Sequence, residues 1–220
     1  MTSRTSIAGR MRGCAAVTGI ASLLAVTACT GGTARPGVTP APESPSFSAM
    51  STPDATPTPT PAASYKPADA SGRAQNVPVP VLPEVAKAET KEGLEAFARY
   101  WYSLLNYSYE TGDLSLITAI SSPSCALCAK VFPGIEKWNA DGRWIVGGTV
   151  TVHAVQSPFV RTSDGDFQVV VQSQQKAGLL KNADGTDGQT VTESAMLGDL
   201  MVVRYEKGTW AVQNVDRLGG

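Results

Sequence analysis

The clearest pattern in the chain is an apolar stripe with three- and four-residue steps between residues 90 and 113. Within TKEGLEAFARYWYSLLNYSYETGD it comprises Leu94, Phe97, Trp101, Leu104, Leu105 and Ser108. This spacing places all six side chains on one face of an α-helix. Gly112 is a suitable C-terminal cap, and Asp113 can begin a shorter helix that Pro123 should stop. A third, irregular helix is predicted around residues 126 to 140.

The second half of the chain changes to a two-residue period. GGTVTVHAVQ and DFQVVVQSQQ each alternate aliphatic with polar positions, which predicts two strands. After a turn-rich loop, KNADGTDGQ, the segment GDLMVVRYEKGTWAVQNVDR predicts two more strands, joined at Lys207 and Gly208. The predicted fold class is therefore α+β, with three N-terminal helices packed on a curved, mainly antiparallel sheet of about four strands.

The N-terminus carries an export signal. Arg4, Arg10 and Arg12 precede the uncharged run CAAVTGIASLLAVTAC, which is too short to span a bilayer as a mature helix. The end of this run, VTAC, resembles the bacterial lipobox. The resemblance implies a signal peptide at residues 1–28 and attachment of lipid, a palmitate-type acyl anchor, to Cys29. The predicted location is the outer face of the bacterial cytoplasmic membrane; the alternative is an ordinary secretory signal with an incidental cysteine.

Composition divides the remaining chain in two. Residues 29–76 are rich in Thr, Pro, Ala and Gly and poor in large aliphatic residues, which predicts a disordered tether behind the lipidated N-terminus. Residues 77–220 have the size of a single globular domain. Removing the three signal arginines from 18 basic residues leaves 15 against 19 acidic ones, a net charge of −4. Without a basic cluster, a nucleic-acid partner is not expected.

The segment SSPSCALCAK holds the only cysteines of the predicted domain, Cys125 and Cys128. A structural zinc site needs four ligands, and the domain offers only these two thiols and His153, so no metal is predicted. A redox pair would require a helix N-terminus aimed at the first thiol. A disulfide suits a protein outside the reducing cytosol, and residues three apart in a turn are close enough to form one. The disulfide is the prediction, and the redox pair stays open.

Candidate binding residues are aromatic. Trp101, Tyr102, Trp138 and Trp210 fall on the predicted helix-to-sheet side or at element ends, where they either fill the core or line a pocket. His153, the single histidine of the chain, is a candidate base in such a pocket or a surface strand residue. These five residues are the predicted pocket lining, and no catalytic residue is assigned.

Two resemblances extend this picture. The element order is similar to that of nuclear-transport-factor-2-like, SnoaL-like cone folds. The segments LPEVAKAETKEGLEAFARYWYSLLNYSYETGD, SSPSCALCAK and ADGRWIVGG resemble a family of actinobacterial lipoproteins with one such domain behind a Pro/Thr-rich tether. The resemblance implies localisation and fold, without an activity.

The expected function is that of a non-enzymatic binding or interaction module, anchored in the membrane through Cys29. Its expected partner is a cell-envelope protein or a small apolar ligand, and no cofactor is expected. The alternative is a cone-fold enzyme, isomerase-like or hydrolase-like, that uses His153 as a base in an apolar pocket.

Overall fold

The computed structural model describes residues 63–219. After a short 3-10 helix, Glu84–Lys87, come helices α1 (Lys91–Thr111), α2 (Ser115–Ala119) and α3 (Ala126–Asn139). Seven strands follow: β1 (Trp144–Gly147), β2 (Val150–Gln156), β3 (Phe167–Gln175), β4 (Gly178–Lys181), β5 (Asp187–Val191), β6 (Leu197–Glu206) and β7 (Thr209–Leu218).

The predicted fold class, three N-terminal helices on one sheet of about four strands, is wrong. The strands form two sheets, one of three strands in the order β1-β4-β5 and one of four in the order β2-β3-β6-β7. Every pairing between neighbouring strands is antiparallel. The architecture is a mainly antiparallel β-sandwich of two sheets. The segment KNADGTDGQ, residues 181–189, was predicted as a loop, but this region contributes to β4, which pairs with β1, and to β5, which pairs with β4.

Helix α1 forms where the apolar stripe predicts it. Thr90 caps the N-terminus, its side chain accepting a hydrogen bond from Gly93 N at 3.0 Å, and Gly112 ends the helix with a left-handed φ of 80°. The six predicted stripe residues are all buried. They pack against the inward positions of the four-stranded sheet, which include Val169 and Met201. The stripe is confirmed as the face that forms the core.

Residues 64–76, at the end of the predicted tether, lie against the domain. Lys66 and Gln75 form an antiparallel bridge. Trp144 Nε1 donates to Asp69 O at 2.9 Å, and the Arg73 guanidinium donates to backbone carbonyls at the end of α3 and before β1. The predicted signal peptide, Cys29 and the tether up to residue 62 lie outside the described residues. Over residues 63–219, no helix has the length and apolarity needed to cross a membrane.

Candidate functional site

A cavity of about 120 Å³ lies where α1 and α3 meet the four-stranded sheet. We call it the Asp199 cavity. Apolar side chains of both helices and of β2 make one part of its wall, and polar side chains of β3, β6 and β7 make the other. Its lining comprises Tyr102, Leu105, Tyr109, Leu127, Val131, Val150, Ser173, Gln175, Asp199 and Arg217.

Strand alternation directs Asp199 into this cavity. On β6, Asp199, Met201 and Val203 share the inward face, and all three are buried. Arg217 of β7 stands directly opposite Asp199 in the antiparallel register, so both side chains point to the same face. A carboxylate therefore occupies a position at which the two-residue period predicts an apolar side chain.

The Asp199 carboxylate is 1% exposed and is held by three donors. Its Oδ2 accepts from Tyr102 OH at 2.8 Å and from Ser173 Oγ at 2.7 Å, and its Oδ1 accepts from Arg217 Nε at 3.3 Å. Burying a neutral polar group without hydrogen-bond partners costs about 2 to 7 kcal/mol, and burying an unpaired charge costs more. These three hydrogen bonds offset the desolvation cost of the buried carboxylate and fix its orientation.

The two tyrosines of the cavity are held in their neutral form. Burial raises the pKa of Tyr102, and the neighbouring Asp199 charge and hydrogen bond raise it further. Burial also raises the pKa of Tyr109, whose hydroxyl accepts from Gln175 Nε2 at 3.4 Å. Both hydroxyls are therefore hydrogen-bonding groups in this cavity at neutral pH, without negative charge.

We expect the protein to lose stability as the pH rises above about 10, the ordinary pKa of tyrosine. Because the pKa of Tyr102 is raised in the folded state, its contribution is complete below that pH and is lost as the unfolded state releases its proton. Tyr102→Phe should reduce the slope of unfolding free energy against pH by about 1.4 kcal/mol per pH unit there. Urea denaturation at several alkaline pH values measures both slopes; identical slopes would contradict the assignment.

Of the five predicted pocket residues, only Tyr102 lines the Asp199 cavity. Trp101 and Trp210 are buried in the core, with indole nitrogens donating to Ser121 Oγ and Ala88 O. Trp138 is half-buried and lies near the three-stranded sheet, with the Arg143 guanidinium 5.4 Å from its ring centre. Trp101, Trp138 and Trp210 thus pack the protein and do not line this cavity.

His153 is exposed on β2 and is not in the cavity. It is the extra residue of a β-bulge, because Val152 pairs with Ser173 and Ala154 with Gln172. Within residues 63–219 its side chain makes no hydrogen bond or ion pair with a carboxylate. The geometry therefore gives His153 no role as a base in an apolar pocket.

Three polar residues of the cavity escaped the sequence analysis as site residues. Ser173 and Arg217 reach Asp199 through the pairing of β3 and β7 with β6, and Gln175 reaches Tyr109 through packing of α1 on the sheet. The signal that could have found the site is the inward position of Asp199 among apolar neighbours.

The second feature singled out by sequence lies at the junction of α2 and α3. Cys125 and Cys128 are joined by a disulfide, with their Cα atoms 5.2 Å apart. Cys125 is the N-cap of α3, and its sulfur accepts a hydrogen bond from Cys128 N at 3.3 Å. Among the described residues, no group of three or more His, Cys, Asp or Glu side chains is arranged to hold a metal ion.

Comparison with known proteins gives distant structural matches. The intermembrane space region of the chloroplast protein ARC6 matches at 9% identity with a TM-score of 0.40, covering 60% of this chain and 98% of that one. Aln2 from a Streptomyces species matches at 10% identity with a TM-score of 0.37, covering 57% of this chain and 89% of its own. Neither supports the predicted cone-fold relationship, and no curated protein matches the chain. Residues 63–216 match a family profile, and the chain belongs to the family of unknown function DUF6318.

Proposed function

We propose that the chain is a membrane-anchored extracytoplasmic lipoprotein whose folded domain binds a small ligand in the Asp199 cavity without chemical conversion. The observation that supports binding is the buried Asp199 carboxylate, fixed by three donors in a cavity whose wall is partly apolar. Apolar walls with a few oriented polar groups are typical of ligand sites.

The free hydrogen-bonding capacity of the cavity favours an acceptor on the ligand. Asp199 already receives three hydrogen bonds. Arg217 is 45% exposed and uses Nε on Asp199, while its two terminal nitrogens make no hydrogen bond to any residue between 63 and 219. A guanidinium with free donors recognises a carboxylate. The ligand class that fits is a small molecule with a carboxylate and a short apolar tail.

Titration with hexanoate tests this proposal. The probe should shift the methyl NMR signals of Leu105, Leu127 and Val150 in the full chain, since these side chains line the cavity. Val131→Trp should fill the cavity and abolish the shifts. Lys130→Trp, at the adjacent exposed position of α3, is the matched control and should preserve them. Unchanged methyl signals in the unmodified chain, or equal responses of both variants, would contradict the proposal.

The proposed anchor rests on the lipobox and is tested separately. Cys29→Ala should release the chain into the medium or leave it uncleaved, because alanine offers no thiol for acylation. Membrane fractionation and incorporation of tritiated palmitate measure the effect. Unchanged fractionation together with unchanged labelling would contradict membrane anchoring through Cys29 and would leave the ligand proposal standing.

A further inference from the structure

The two cysteines occupy different environments at the start of α3. Cys125, the N-cap, is 0% exposed, and Cys128 in the first turn is 5% exposed. Cys128 also lines an open groove of about 290 Å³ that Cys125 does not line. The groove is mostly apolar, and its other walls include Pro123, Ala129 and Phe132. An incoming reagent therefore has a path to the Cys128 side of the disulfide.

The start of α3 suits a negative charge on Cys125. The Cys128 N–H group already donates to the Cys125 sulfur, and the partial positive charge of a helix N-terminus stabilises an anion placed there. The first turn of α3, which is described in full, carries no acidic side chain that would oppose this charge. A thiolate at such a position is more stable than a free cysteine thiolate.

We propose that the Cys125–Cys128 disulfide is an exchangeable redox pair, attacked at Cys128 through the groove by the thiolate of an external dithiol. The attack forms a bond between the external sulfur and Cys128 Sγ, and the disulfide bond breaks with its electron pair passing to Cys125. The second thiol of the reductant then releases Cys128 as a thiolate and leaves as a cyclic disulfide. The protein gains two electrons and the dithiol loses two.

This order of attack follows from how exchange proceeds. The sulfur that leaves most readily is the one whose thiolate is most stable, and helix α3 stabilises Cys125. The sulfur that must be reached is then Cys128, the one beside the groove. Accessibility and leaving-group stability thus both favour attack at Cys128 with Cys125 as the leaving thiolate.

The surrounding hydrogen bonds allow the turn to stay folded when the disulfide opens. Ser122 N donates to Val212 O at 2.7 Å, and Val212 N donates to Ile120 O at 2.8 Å. Ala126 N donates to the side-chain oxygen of Asn214 at 2.8 Å. A ring closed between residues three apart adds only about 2 kcal/mol to stability by the loop-entropy relation. Opening it therefore leaves the junction attached to β7.

Reduction kinetics of the unmodified full chain, purified from membranes in detergent, test the proposal. With dithiothreitol as the probe, the reduction rate should rise in proportion to its concentration and stay constant in urea below the unfolding transition. Trapping with maleimide and peptide mass spectrometry assign each free thiol to its own peptide, so only Cys125 and Cys128 are counted. Reduction that proceeds only at the rate of global unfolding would overturn the proposal and leave the disulfide as a local cross-link.

Two variants test the direction of attack. In Cys125→Ser, the Cys128 thiol should form a mixed disulfide with glutathione disulfide in the folded state. In Cys128→Ser, the Cys125 thiol should react at least about tenfold more slowly, because its sulfur is inaccessible, and the two rates should converge in urea. Near-ultraviolet circular dichroism verifies folding of both. Equal rates or the reverse order in folded protein would overturn the assignment of Cys128 as the attacked sulfur.

Discussion

Trp101→Ala is expected to lower the free energy of unfolding by about 4 kcal/mol, the largest effect of any substitution considered. The side chain is 0% exposed at the centre of the α1 stripe, and its ring packs edge-on against Tyr102 with centres 5.1 Å apart. Its Nε1 also donates to Ser121 Oγ at 2.8 Å, which ties α1 to the end of α2. Alanine would leave a large cavity that the rigid sheet opposite α1 cannot close.

Urea denaturation of the full chain measures this loss, and Trp138→Ala is the matched control. Trp138 is half-buried at the end of α3 and packs its ring near Gly188. Removing it should cost about 1 kcal/mol, since a partly exposed side chain loses less burial. Similar losses for the two tryptophans would contradict the assignment of Trp101 as a core residue.

Asp199→Ala is expected to lower the free energy of unfolding by about 3 kcal/mol. Its removal leaves the buried hydroxyls of Tyr102 and Ser173 without their acceptor, at a cost of about 1 to 3 kcal/mol for each group. The ion pair with Arg217 adds little, because the guanidinium is half-exposed and solvent screens it. The loss thus arises from hydrogen bonding inside the cavity.

Two variants separate this mechanism from a general effect of substituting an aspartate on this sheet. Asp199→Asn keeps one acceptor oxygen for the hydroxyls and should cost about 1 kcal/mol. Asp216→Ala changes an exposed aspartate of β7 and should alter stability by less than about 0.5 kcal/mol. If Asp199→Ala proved as harmless as Asp216→Ala, the hydrogen-bond network would not hold the cavity together.

Helix α1 could be predicted because its signal is local. The six apolar-face residues and the glycine that ends the helix all lie within 23 consecutive positions. Their spacing alone predicts the helix, without knowledge of which distant residues cover the stripe. Its N-terminal cap also follows a local preference for threonine.

The second sheet could not be predicted, because its strands are short and lack a periodic pattern. β5 is Asp187–Val191, four of whose five residues are exposed, and β4 has only four residues. Such segments become strands only when β1 provides a partner. The pairing of β4 with β1 joins residues more than 30 positions apart, as between Trp144 and Lys181, so one sheet was predicted where two exist.

The candidate site could be predicted only in part, because its residues are also distant from one another in the sequence. Tyr102 lies on the predicted first helix, but its partner Asp199 is 97 positions away. Trp101 and Trp210 were predicted as pocket residues because sequence does not distinguish an aromatic residue that fills a core from one that borders a cavity. His153 is exposed at a bulge of β2, which agrees with the alternative that it is a surface strand residue.

That bulge has a consequence for how copies of the protein meet. β2 is an edge strand of the four-stranded sheet, and an unprotected edge offers unpaired backbone groups to a neighbouring molecule. Asn106 occupies both backbone groups of Val150 at one end of this edge, with bonds of 2.7 and 2.9 Å, and the bulge at His153 breaks its regular spacing further along. Both features disfavour the pairing of β2 with a strand of a second copy of the protein.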